Sequence, residues 1–167
     1  MRAATRALYR SRQFFGALRP RVDVEVRAEA FRLLSEPERQ LFESMTPRDQ
    51  QHCLAVYERL RVEGQDDRSL LVAALLHDAG KGRIALWHRV AFVLLEAWAP
   101  GLLRRRATPS EGAGWREALY HCLHHQELGA ELARQAGSSE EVVALIRADH
   151  ASSDERALAL ETADDAA

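Results

Sequence analysis

Lysine is almost missing from this chain: of its 23 basic residues, Lys81 alone is a lysine and the rest are arginine. Cysteine is nearly as scarce, with only Cys53 and Cys122 among 167 residues. Two cysteines cannot form a disulfide framework; they fit a reducing, cytoplasmic compartment, and both read as small buried hydrophobes. No run of about 18 consecutive apolar residues exists. The nearest, Ile84 to Leu103, is broken by His88, Arg89, Glu96 and Pro100 and reads as a core helix plus a turn. No secretory signal peptide is expected. With a net charge of −2, bulk electrostatics give no reason to expect a nucleic-acid partner. Acid is missing in one place. Up to Val22 there is none, while Arg2, Arg6, Arg10, Arg12, Arg19 and Arg21 recur at roughly helical spacing beside Leu8, Phe14, Phe15 and Leu18. This stretch reads as a basic amphipathic helix packed on the domain, or as an arm that meets a membrane surface or a partner, and its composition also resembles a mitochondrial presequence.

What is present is helical punctuation, in a chain long enough for one domain with a real core. Ser35-Glu36-Pro37-Glu38 is a capping box opening a helix that carries Leu41, Phe42 and Met45. Thr46-Pro47-Arg48-Asp49 repeats the device for a helix running to about Val62 and stopping at Gly64. Asp66 or Asp67 caps the next, which ends in His77-Asp78. Further helices are expected from about Ile84 to Trp98, Trp115 to Leu123, Leu128 to Ala136, Glu140 to His150 and Glu155 to Asp164. Arg104 to Gly114 reads as a surface loop, and Val22 to Val26 alternates like a strand too short to found a sheet. The fold class is all-α.

One segment concentrates the chemistry. Leu70 to Leu76 has no polar side chain and reads as a buried helix, yet it runs directly into His77-Asp78-Ala79-Gly80-Lys81. Burying an imidazole and a carboxylate there costs several kcal/mol without partners, and a divalent cation would partner both. Other ligand types fall at helix ends or inward faces: His52 on the face of Val56 and Leu60, His125 at a helix entry, Asp149 and His150 after Ile146, and Asp164 after Leu160. Such nitrogen and oxygen donors suit Fe, Mn, Zn, Ni or Mg, as one ion or two, rather than a sulfur-bound structural zinc. The competing readings are a helix-terminal His-Asp pair, core histidines, and a solvated acid at Asp149. His88, His121 and His124 read as core or surface histidines, and Arg104-Arg105-Arg106 as a solvated run that could touch an anionic substrate.

In order and helical setting, these residues resemble the HD-domain metal-dependent phosphohydrolases, whose pattern is a histidine, a His-Asp pair and a distant aspartate on a helical bundle. His52, His77, Asp78 and Asp164 match it. His77 to Lys81 resembles the HDxGK box of the subgroup with extra histidines. His125-Gln126-Glu127-Leu128-Gly129 resembles its HPxxG segment with glutamine for proline, and Asp149-His150 stands where that subgroup has paired histidines. The Gly-Tyr-Pro motif of the cyclic-di-GMP phosphodiesterase branch is absent, which tells against that substrate. The resemblance divides the chain into a basic arm and lead-in helix, residues 1–45, and an HD-type metal-binding domain, residues 46–167.

It also implies an HD-like helical bundle and metal ligands at His52, His77, Asp78, His125, Asp149, His150 and Asp164. A metal held there activates water toward a phosphoester. Asp78 is the natural bridge between two ions, since a carboxylate can bind one through each oxygen. Lys81 offers a cation to a phosphate oxygen, and no serine or cysteine stands in a nucleophile motif. The expected activity is hydrolysis of a phosphomonoester or phosphodiester of a nucleotide or other small molecule. The alternatives are a regulatory or ligand-binding module of the same fold without turnover, or a scaffold whose arm docks on a membrane or partner.

Overall fold

The computed structural model describes residues 24–82, 86–107, 114–148 and 152–167. Among these there is no strand. The helices are α1 (Val24–Leu33), α2 (Glu36–Ser44), α3 (Pro47–Val62), α4 (Arg68–Leu76), α5 (Leu86–Trp98), α6 (Pro100–Arg106), α7 (Trp115–Gln135), α8 (Glu140–Arg147) and α9 (Glu155–Ala166), with a 3₁₀ turn at Ala79–Lys81 between α4 and α5.

The architecture is organised around α4, which packs against α1, α2, α3, α8 and α9. Every residue from Leu70 to Leu76 is buried. A helix apolar on all sides must be enclosed, and this one is. Its five large side chains (Leu70, Leu71, Val72, Leu75, Leu76) contribute on the order of 10 kcal/mol of burial at about 2 kcal/mol each. Ala73 and Ala74, both at 0 % exposure, let neighbouring helices approach closely. Ala30 and Leu34 from α1 and its end, with Phe42 and Met45 from α2 and its end, join the same core.

Capping residues fix where the helices begin. Ser35 accepts a hydrogen bond from the Glu38 backbone while the Glu38 carboxylate accepts one from the Ser35 N–H at 2.8 Å. The other Glu38 oxygen accepts from the Ser138 hydroxyl at 2.7 Å, tying the start of α2 to the α7–α8 turn and satisfying a buried charge. Thr46, Asp67 and Ser139 cap α3, α4 and α8 in the same way.

Three sequence expectations need correction. Within Arg104 to Gly114, residues 104–106 are helical, because α6 spans Pro100–Arg106. Proline suits the first helical turn, where its missing N–H has no partner to lose, and three arginines in the last turn suit the carbonyl end. The two helices expected between Trp115 and Ala136 are one, α7, with non-helical angles at His124 (φ −116, ψ 17). With Gln126 in place of a proline, no backbone N–H is lost and the helix resumes after the kink. Finally, Val24 and Val26 begin α1 rather than a strand: Val26, Ala30 and Leu34 recur every four residues and pack on the core together. The basic arm up to Val22 lies outside the described residues, as do Ile84 and Ala85 of the expected α5 start.

The 3₁₀ turn after α4 lies against α7, and two glycines make this possible. A methyl at Gly80 would overlap the carbonyl oxygen of His125 and the backbone nitrogen of Gly129. One at Gly129 would lie 3.2 Å from both Gly80 N and His77 O. Gly80→Ala should therefore cost about 1–3 kcal/mol or more, since backbone rather than a flexible side chain must move. Gly101→Ala is the control: it sits in α6 with nothing within 4 Å, and should be neutral or stabilising by up to about 1 kcal/mol. Denaturant melts of the two variants check this, and equal midpoints would refute the backbone contact.

Candidate metal centre

α4 delivers His77 as its C-cap, and Asp78 follows with φ −90 and ψ 0, outside helical geometry. This is the carbonyl end of an enclosed helix, where the backbone dipoles favour a cation. His52 comes from α3 and Asp164 from the last turn of α9, which packs against α3.

These residues converge. One ligand atom from each of His52, His77 and Asp78 lies within 4.8 Å of the others. Asp164 Oδ1 lies 2.6 Å from His52 Nε2 and 3.4 Å from His77 Nε2. His77 Nε2 is also 3.4 Å from Asp78 Oδ1, and the two imidazole rings meet edge to face at 5.4 Å. Asp78 is buried, and Lys81 Nζ donates to its Oδ2 at 2.6 Å and touches Oδ1.

The orientation of His77 carries chemical information. Its Nδ1 is 2.9 Å from the Ala74 carbonyl, so Nδ1–H donates there and the neutral ring turns the Nε2 lone pair toward Asp78 and Asp164. Cys53 Sγ, fully buried, lies 3.8 Å from the same Nδ1. His77 Nε2 and Asp78 Oδ1 are buried atoms that complete no hydrogen bond among the described residues. Burying such a pair costs free energy that the Lys81 ammonium against Oδ1 offsets in part and that a divalent cation near both atoms would offset further. Two imidazole nitrogens with two carboxylates also form a donor set suited to a divalent transition metal. The residues fit the ion.

The electrostatics agree. Burial alone would raise the Asp78 carboxyl, but His77, Lys81 and His52 hold it well below the usual carboxylate range. Asp164 is likewise held low against its burial by the His52 hydrogen bond and by His77 beside it. Burial alone would lower His77, yet Asp78, with smaller help from Cys53 and Asp164, raises it well above an ordinary histidine. The Nε2 position, facing two carboxylates, therefore favours positive charge.

His125 follows the kink of α7, not a helix entry. Its Nδ1–H donates to Cys122 O at 3.0 Å, burial together with the Lys81 charge pushes its pKa down, and it is not among the three residues whose ligand atoms cluster. Asp149 and His150 lie outside the described residues. The sequence did not foresee the Cys53 contact, nor His121 Nδ1 at 3.1 Å from Gly80 O, nor the Gln126 amide donating to Ala148 O at 3.3 Å. A cysteine next to His52 was the one available hint.

A family model described as the HD domain matches residues 50–166. The chain belongs to the HD-domain family, an all-α fold whose members are generally metal-dependent hydrolases that bind divalent metals. Comparisons with curated proteins and with solved structures return no match.

Two outcomes test the centre. Purified protein should carry metal by elemental analysis, and Asp78→Ala should lose it while keeping its helical circular dichroism. Equal metal content in both would sink the assignment. The pH dependence follows from His77: its raised folded value stabilises the metal-free protein below about pH 6.5 and that contribution fades as pH rises through the folded value. Metal displaces this proton, so affinity should climb roughly tenfold per pH unit while His77 is charged. Competition titrations on either side of neutrality would reveal it, and a flat profile would contradict the displacement.

Proposed function

We propose that this chain is a metal-dependent phosphohydrolase of the HDxGK-containing subgroup, acting on a phosphomonoester or phosphodiester of a nucleotide or other small molecule. The observation that carries this reading is the convergence of His52, His77, Asp78 and Asp164 at the end of a buried helix with Lys81 beside them. In this reading those four hold the ion, with His125 and the Asp149-His150 pair available to a second. A divalent cation bound there lowers the pKa of its water from about 15.7 to about 7 and polarises a phosphoryl oxygen.

The chain supplies the rest. The Ala74 carbonyl fixes the His77 ring, so the lone pair needs no reorganisation. Asp78 stays ionised at any working pH because its neighbours hold its proton off. Lys81 sits on a short turn with its side chain a quarter exposed, at the border between the buried carboxylate and solvent where a substrate phosphate would enter. Its ammonium is a compact charge that can pivot from carboxylate to phosphate, which a planar guanidinium does less readily.

Hydrolysis of p-nitrophenyl phosphate and bis(p-nitrophenyl) phosphate with added Mn, Fe, Zn, Ni or Mg tests the activity. No turnover by metal-loaded protein with either ester would favour a ligand-binding module instead. Lys81→Ala in metal-loaded protein should lower kcat/KM by roughly ten- to a hundredfold, the loss of a charge-assisted contact of about 1.5–3 kcal/mol. Metal content and melting temperature should stay nearly unchanged, and Lys81→Arg should recover part of the rate. Loss of metal in Lys81→Ala would make the residue structural.

A further inference from the structure

Large exposed apolar side chains are unevenly placed. Val24, Val62, Leu132 and Leu158 are scattered, but Val93, Leu94, Trp98, Leu102 and Trp115 all fall on α5, α6 and the start of α7. Trp98 is the extreme, with 86 % of its surface exposed. Leu94 and Trp98 are one helical repeat apart on α5, and α6, which starts after the non-helical Ala99 (φ −147, ψ 57), adds the exposed Leu102. Directly after Leu102 and the buried Leu103 come Arg104, Arg105 and Arg106, all exposed. Arg106 is fixed to α7 through its carbonyl, which accepts from Arg116 Nε at 3.1 Å, so the basic end of α6 and the Trp115 end of α7 are neighbours.

We propose that this α5–α6 face is a docking surface for an anionic lipid bilayer. Three adjacent arginines in a chain whose net charge is −2 form a local positive field, which selects a negatively charged partner. Glu96 is the acid on α5, and the arginines outnumber it. The apolar part is a set of exposed side chains, Leu94 and Trp98 on α5 and Leu102 on α6, and a bilayer accepts such a surface without demanding a complementary shape. Tryptophan is the side chain best suited to the headgroup boundary, with a large apolar ring and one N–H for the wet side. The face is carried by helices that pack on α7 but outside the α3–α4–α9 cluster holding His52, His77, Asp78 and Asp164, so lipid contact leaves the metal centre free. This surface stands independently of the hydrolase reading.

Sedimentation of the full chain with vesicles tests the proposal. Binding is expected to phosphatidylcholine vesicles containing phosphatidylglycerol and to be much weaker with phosphatidylcholine alone. Replacing Arg104, Arg105 and Arg106 by glutamine should reduce partitioning by roughly a hundredfold at low salt, at about fivefold per charge. Leu94→Ser with Trp98→Ala should reduce it by roughly tenfold or more, and a vesicle-induced blue shift of fluorescence should be diminished in Trp98→Phe. These positions are exposed, so melting curves and metal content should match wild type. Absence of binding to anionic vesicles overturns the proposal. So does binding that both multiple variants leave intact, which would move the contact to the basic arm, or a concentration-dependent dimer abolished by Trp98→Ala, which would make the face a contact between copies.

Discussion

The structure depends on a buried carboxylate. Asp78 stands at the end of the most enclosed helix in the described chain, and the burial that makes α4 a good core element makes an ionised Asp78 expensive. Neutralising it by protonation is not the solution adopted, since its proton affinity is depressed. Partners are brought to it instead: the Lys81 ammonium on the following turn and the His77 ring beside it. The pieces come from separate helices, so the cluster forms only when the fold is complete. In the metal-free protein, removing one partner leaves a buried charge uncompensated, so substitution there is tolerated poorly.

The same constraint explains the glycines. Lys81 can reach back to Asp78 only if the chain turns tightly after α4, and the turn that results lies on α7 at backbone contact distance. Gly80 and Gly129 are two halves of that contact, nearly fifty residues apart in sequence. The glycine of the first motif and the glycine of the second are thus required by each other, and their apposition sets His125 against the turn that carries Lys81. Packing and chemistry are specified by one geometric condition.

Legibility in the sequence followed the range of the forces involved. Helix starts were readable because a cap is decided within four residues: Ser35, Thr46 and Asp67 stand where their side chains bond. The burial of α4 was readable because it needs only an unbroken apolar run. α6 was not, since proline, glycine and arginine in sequence resemble a loop until the proline is seen to start a helix and the arginines to finish it. The interruption after Leu123 was readable but the continuity of α7 through it was not: Gln126 breaks a motif on paper but keeps its N–H in space. The candidate ligands could be named by residue type and order. What no local pattern encodes is that Asp164 Oδ1 touches both imidazoles, that Ala74 orients one of them, or that Cys53 lies against it.

The arrangement also implies a division of labour between proton and metal. The Nε2 of His77 faces two carboxylates across 3.4 Å each, a position that is electrostatically negative whatever fills it. A proton there completes an ion pair and supports the fold. A divalent cation there does the same with twice the charge and reaches further donors, so binding energy becomes folding energy. Lys81 is the element whose duty changes between the two cases. Without a metal its ammonium is needed by Asp78, whereas a divalent ion held by His77 and Asp78 would satisfy that carboxylate and would free the ammonium for a substrate phosphate. A lysine on a short turn, anchored by Gly80 and partly exposed, has the freedom for this exchange; a buried arginine bonded at two points would not.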